Sequence, residues 1–162
     1  PMRPTRVVSF GVGLGFACAA SLLATTYTVT TTGDAGAGSL CHALIDAILG
    51  AAAAGDIGRH FPNTDPAWKD ASGLDLLEKT ISVLDGLGWT VSNVDVTVIL
   101  EAPKLTPNVL EIRKNLARVL DLPLEAVSVK AKTNEGVDAV GRGEAIAAHA
   151  VAMVASVSER AK

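Results

Sequence analysis

The chain has 162 residues, enough for one domain with a real core and too few for two ordinary ones. Apolar residues make up 49%, charged residues 19% and aromatics 4%, which excludes a disordered chain and leaves the core to Ala, Val, Leu and Ile. A net charge of -3 argues against a nucleic-acid binder, and two cysteines, Cys18 and Cys41, cannot build a disulfide framework or a four-thiolate zinc site. So little charge on so many small residues points to a surface hidden in an oligomer.

Residues 7–33 carry no charge and follow Arg3 and Arg6. A basic start before FGVGLGFACAASLLA suits a secretory leader or a membrane span. Glycines at 11, 13 and 15 and the polar TTYTVTTT of 25–32 suit strands instead, over 6–16 and 27–32. GDAGAGS (33–39) reads as a turn, with Ser39 as a helix N-cap. The next segment, 40–55, is expected to be an amphipathic helix with Leu40, Leu44, Ile48 and Leu49 inward and Gly55 closing it. Residues 55–72 read as a long, Pro-punctuated loop without structure of its own, functional or disordered. A second helix follows over 74–87, with Leu74, Leu77, Ile81 and Leu84 on one face.

Over 89–103, Val91, Val94, Val96, Val98 and Leu100 predict a strand stopped by Pro103. Pro107 and Asn108 open a third helix with Leu110, Leu116, Val119 and Leu120 as its buried stripe. VSVKAKT (127–133) is a short strand. The Ala-rich tail, AIAAHAVAMVASVSERAK, is open to helix or strand. Interleaved helices and strands without an internal repeat make one α/β (α+β) domain over 1–162.

Four blocks carry more than pattern: HALIDAILGAAAAGDIGRHFPNTDP (42–66), NVDVTVILEAPKLTP (93–107), VSVKAKTNEG (127–136) and GRGEAIAAHAVAM (141–153). In order and spacing they closely resemble the 2-C-methyl-D-erythritol 2,4-cyclodiphosphate synthases of the non-mevalonate isoprenoid pathway. The resemblance implies a mixed sheet with helices on one face, a strand at the end of the chain, a homotrimer, and active sites between adjacent subunits. It also implies attack of a 4-hydroxyl on the β-phosphate, with departure of cytidine monophosphate. A divalent metal, usually zinc, would be held by an Asp-x-His pair and a helical His.

The family's helical histidine is present as His42, but GLGFACA puts Ala17 and Ala19 where the family has Asp and His. The substrate-contacting stretch before the helix is reduced to Asp34-Ala35-Gly36-Ala37-Gly38, with Asp34 its only carboxylate. Residues 1–38 therefore read as a divergent or rebuilt strand–hairpin region. The Thr-Thr pair that grips the diphosphate is Lys132-Thr133, where Lys132 either binds phosphate as a point charge or is a solvated rim lysine. Asp56 and Gly58 match the loop that takes the sugar diol; Asn63 replaces a common acid and Asp65 is kept. Ala102, Pro103 and Lys104 match the cytosine pocket, Glu135 a second metal's carboxylate, and Arg142 with Glu144 the turn at the trimer centre. Cys18, Cys41 and His149 read as packed residues.

Changes clustered between residues 17 and 38, beside intact core blocks, suggest a redesigned or disabled family member. The leading expectation is thus a homotrimeric scaffold or assembly component, with a designed protein partner or higher assembly possible. The alternatives are an active synthase, and a non-catalytic binder of cytidine nucleotides or isoprenoid phosphates. No cofactor is expected, with zinc or another divalent ion entering only if the site works. Neither nucleic acid nor membrane is expected as a partner, and the location expected is cytoplasmic.

Overall fold

The computed structural model describes residues 23–31 and 37–157. The strand expected over 6–16, Ala17, Ala19, Cys18 and Asp34 lie outside the described residues. Four strands form one mixed sheet in the order β1-β4-β2-β3. They are β1 (Leu23–Thr31), β2 (Trp89–Ile99), β3 (Val127–Lys132) and β4 (Ile146–Ser156). The tail is therefore a strand, and it runs up the middle of the sheet. There β4 pairs antiparallel with β1, from Leu23↔Val154 to Thr31↔Ile146, and with β2, where the register shifts between Val91 and Asn93.

β2 and β3 are parallel, from Val94↔Val127 to Ile99↔Lys132. A parallel pair needs a crossover, and α4 (Val109–Leu120) supplies it. Arg113 on α4 fixes the return: its guanidinium donates to the carbonyls of Val127 (2.7 Å) and Leu124 (2.8 Å). The remaining helices are α1 (Ala37–Ala51), α2 (Ile57–His60), α3 (Gly73–Gly86) and α5 (Asp138–Gly141).

The core follows the strand period. Val91, Val94, Val96 and Val98 of β2 and Ala148, Ala150, Ala152 and Val154 of β4 are all buried. The alanines of β4 have no bulk to hold a helix away, and α1 lies against β4 and β1 with α3 against it in turn. That sandwiching corrects the expected single stripe on α1. Cys41, Ala43, Ile45 and Ala47 are buried as fully as Leu44 and Ile48, because a helix covered on several sides is apolar nearly all round.

α1 also stops earlier than expected, at Ala51. Ala54 N–H donates to Leu49 O (2.8 Å) and Ala53 N–H to Gly50 O (3.0 Å), the paired bonds of a Schellman cap. Its left-handed residue is Ala53 (φ 55°), a position that favours glycine. Ala53→Gly is expected to raise the unfolding free energy by about 1 kcal/mol in a urea titration.

Two further expectations are corrected. Leu110 is 52% exposed rather than part of the α4 stripe, since at 100° per residue it stands about 180° round from Val119. Residues 55–72 are not structureless. Asp56 caps α2, Asp65 caps a 3-10 turn at Pro66–Trp68, and the rings of Phe61 and Trp68 meet edge to face at 5.0 Å. Among the described residues, no helix is long and apolar enough to cross a membrane.

Candidate functional site

Two clefts gather some of the residues singled out in the sequence, while Asp56, Ala102, Pro103, Glu135 and Arg142 lie outside both linings. The larger, about 750 Å³, lies where α1, α2 and the start of α3 converge, and its lining includes His42, Gly58, Phe61, Asn63 and Trp68. The smaller, about 240 Å³, opens where the parallel strands β2 and β3 end, and is lined by Lys104, Thr106, Lys132 and Thr133 beside Leu100 and Leu105. α3 starts at the first cleft and β2 runs back to the second, so both lie toward one end of the subunit.

In the larger cleft, His42 is half-buried on α1. One turn further on stands Asp46, only 6% exposed, whose Oδ1 accepts the Ile57 N–H at 2.7 Å. This bond pins the start of α2, so that Ile57 and Gly58 face His42 across the cleft. Burial raises the Asp46 carboxyl above its ordinary value; the Ile57 hydrogen bond and the His42 charge pull it back, while Asp56 pushes it up. Asp56 itself is exposed, and its Oδ1 accepts the Arg59 N–H at 2.9 Å. The residue expected to take sugar hydroxyls is thus also a helix cap.

Asp46 was not among the sequence candidates, although a signal was there: it is the only acidic residue in α1 and sits four residues after His42. Asp46→Ala is expected to cost about 1–3 kcal/mol by orphaning the Ile57 amide, and Asp46→Asn much less, as read by thermal unfolding. The sign of the pH dependence follows from the raised carboxyl. The folded state holds its proton more tightly than the unfolded one, so stability is lost as pH rises from about 4 through the folded value. Asp46→Asn flattens that slope.

In the smaller cleft, Leu100 N–H donates to Lys132 O (2.9 Å), carrying the β2–β3 pairing one residue further. Lys104 enters the lining, whereas Ala102 and Pro103 stand exposed in the bend before it, outside the lining. Thr133 Oγ1 donates to a Glu135 carboxylate oxygen, which places Glu135 beside the cleft. Glu101 Oε2 accepts the Asn134 N–H at 3.1 Å.

Arg142 lines neither cleft. It makes a two-pronged pair with Glu144, both bonds at 2.9 Å, on the exposed turn after α5. That pair holds the Glu144 carboxyl below its ordinary value and raises Arg142. Cys41 is buried, and burial pushes its thiol up to about 11, so it is a packed residue rather than a ligand.

Among the described residues no group of three or more His, Cys, Asp or Glu side chains is placed to hold a metal ion. Of the expected Asp-x-His pair and helical His, only His42 is among the described residues, and one imidazole does not fit a tightly held zinc ion.

The model of the YgbB family matches residues 18–155. The 2-C-methyl-D-erythritol 2,4-cyclodiphosphate synthase of Brachyspira hyodysenteriae is 48% identical over 128 residues, which cover 79% of this chain and 81% of the relative. The synthase of Gloeobacter violaceus is 51% identical over 128 residues, 79% of this chain and 78% of the relative. Among solved structures, the bifunctional IspDF from Campylobacter jejuni superposes with a TM-score of 0.78 at 27% identity, covering 85% of this chain and 43% of that one. A 2C-methyl-D-erythritol-2,4-cyclodiphosphate synthase in its CDP-bound form gives 0.66 at 26% identity, covering 82% and 97%. The chain belongs to the YgbB family, the family of the 2-C-methyl-D-erythritol 2,4-cyclodiphosphate synthases.

Proposed function

We propose that this chain acts as a cyclodiphosphate synthase, closing the cytidylyl methylerythritol phosphate substrate into a cyclic diphosphate and releasing cytidine monophosphate. The observation that carries the reading is that His42 and Gly58 line one cleft, and Lys104 and Thr133 the other, in a chain about half identical to curated synthases over 128 residues. Asp56 and Gly58 take the sugar end. Lys104 follows the Ala102–Pro103 bend that takes the cytosine, and Lys132 adds a second cation to the rim where the phosphates lie. Thr106 and Thr133 offer hydroxyl donors there.

The product name corrects the expected nucleophile. A diphosphate spanning O2 and O4 needs a phosphorus on each oxygen, so a phosphate oxygen on O2, not a hydroxyl, attacks the β-phosphorus. The bond from that phosphorus to the bridging oxygen breaks, and cytidine monophosphate leaves with the electron pair.

The working unit in this reading is a homotrimer in the cytoplasm. Its support is the sheet face away from the helices, where Val151 and Met153 of β4 remain only half-buried in the single chain. Asp95 and Lys130 pair on that same face. Burial pushes the Asp95 carboxyl up, and hydrogen bonds from Lys130 and Ser128 more than offset it, leaving it below its ordinary value.

A second reading, a subunit that holds the nucleotide without turning it over, is favoured by Ala17 and Ala19 at the expected ligand positions. Phosphorus NMR of the substrate incubated with the chain and a divalent ion separates the two. Cytidine monophosphate and a cyclic diphosphate appearing together support the synthase; unchanged substrate, with cytidine diphosphate still bound, supports the second.

A further inference from the structure

The rims of the smaller cleft come from separate stretches of chain. One is the bend after β2, which carries Lys104; the other is the turn after β3, which follows Thr133 and contains Glu135. The backbone ladder between them ends at Leu100 N–H to Lys132 O. Beyond it, the hydrogen bond that crosses from one rim to the other runs from the Asn134 N–H to Glu101 Oε2 at 3.1 Å.

Asn134 opens a tight turn. Its carbonyl accepts the Val137 N–H (2.9 Å), and its side-chain amide donates to Val137 O (2.9 Å). The central residues, Glu135 and Gly136, both have positive φ, 51° and 76°, the pattern of a type I′ turn. Glu135 is not a glycine, so this conformation costs energy and persists only while the ends of the turn are held. At the far end, Gly141 packs directly on Gly136; at the near end, Glu101 holds Asn134.

We propose that Glu101 is a positioning residue for the ligand of the smaller cleft. Its carboxylate ties the loop bearing Lys104 to the turn bearing Glu135, fixing the gap between the rims before a nucleotide diphosphate enters. The proposal rests on the reading of this cleft as the cytidylyl site. The role needs an acceptor rather than a charge, because the partner is a backbone amide.

Calorimetric titration of the full chain with cytidine diphosphate tests this, together with amide hydrogen exchange at Asn134 without ligand. Glu101→Ala is expected to weaken binding about tenfold with little change in the thermal midpoint, and to speed exchange at Asn134. Glu101→Gln, which keeps an acceptor, is expected to stay within about twofold of the unsubstituted chain. Equal affinity in Glu101→Ala and the unsubstituted chain, or equal loss in both variants, overturns the proposal. Absence of binding by the unsubstituted chain at millimolar ligand overturns instead the reading of the cleft. Asn134 exchange then decides on Glu101 alone: faster exchange in Glu101→Ala supports the tie, and unchanged exchange overturns it.

Discussion

Gly141→Ala is expected to destabilise the fold by about 3 kcal/mol or more, a loss measurable in a denaturant titration. A Cβ built on Gly141 stands 2.3 Å from the Gly136 carbonyl carbon and 2.7 Å from its Cα. Those are backbone atoms, so no rotamer change relieves the overlap. Gly136 has positive φ and belongs to the same turn as Glu135, and the turn must move as a unit or α5 must lift away. Either response spreads to the small cleft, so cytidine diphosphate affinity is expected to fall along with stability. Gly143 makes the contrast: it also has positive φ (73°), but a Cβ there meets nothing within 4 Å. Alanine at 143 therefore brings backbone strain without steric overlap, a smaller cost of about 1–2 kcal/mol.

The second large effect is on chemistry. Ala17→Asp combined with Ala19→His is expected to raise metal-dependent release of cytidine monophosphate by on the order of a hundredfold, measured as initial rates with and without chelator. A bound divalent ion contributes several kcal/mol of stabilisation to charge developing on a transferring phosphoryl group. His42 alone cannot retain such an ion, whereas two added donors complete the Asp-x-His and His set that the resemblance implies. The single substitutions are expected to do much less than the pair, since either alone leaves a ligand short. No gain from the pair would mean that residues 17 and 19 do not approach His42.

Much of this fold was legible in the sequence because its elements carry undiluted periods. The alternation of Val94, Val96 and Val98 marks β2, and the three-residue step from Val91 to Val94 is the trace of the bulge at Val91/Asn93. In the tail, Ala148, Ala150 and Ala152 satisfy helix propensity and strand burial equally, so the strand was legible through the resemblance and not through the pattern, and pairing with β1 and β2 fixes it. α1 was read as having one buried face because Ala43 and Ala47 look neutral between Leu and Ile; packing against both sheet and α3 removes the second face. The 55–72 segment hid its order in caps, since Asp56, Asp65 and Ser72 each accept a backbone N–H just ahead of them. Such local bonds look the same in sequence as solvated loop residues.

The site was legible where chemistry and spacing coincide. His42 and Gly58 line one cleft, and Lys104, Lys132 and Thr133 the other. Asp46 and Glu101 were missed for a common reason. Each acts by accepting a backbone amide from a residue distant in sequence, Ile57 and Asn134, and no motif records such a partnership. Arg142 lines neither cleft, because its geometry in the single chain is set by Glu144 two residues away.

One face of the sheet is left uncovered by helices, with Val151 and Met153 only half-buried, and the two clefts share no lining residue. In the proposed homotrimer the two clefts are halves of a site completed between copies of the chain. Light scattering on the purified protein measures this most directly. A mass of three chains is expected, and a single-chain mass at micromolar concentration would contradict the account.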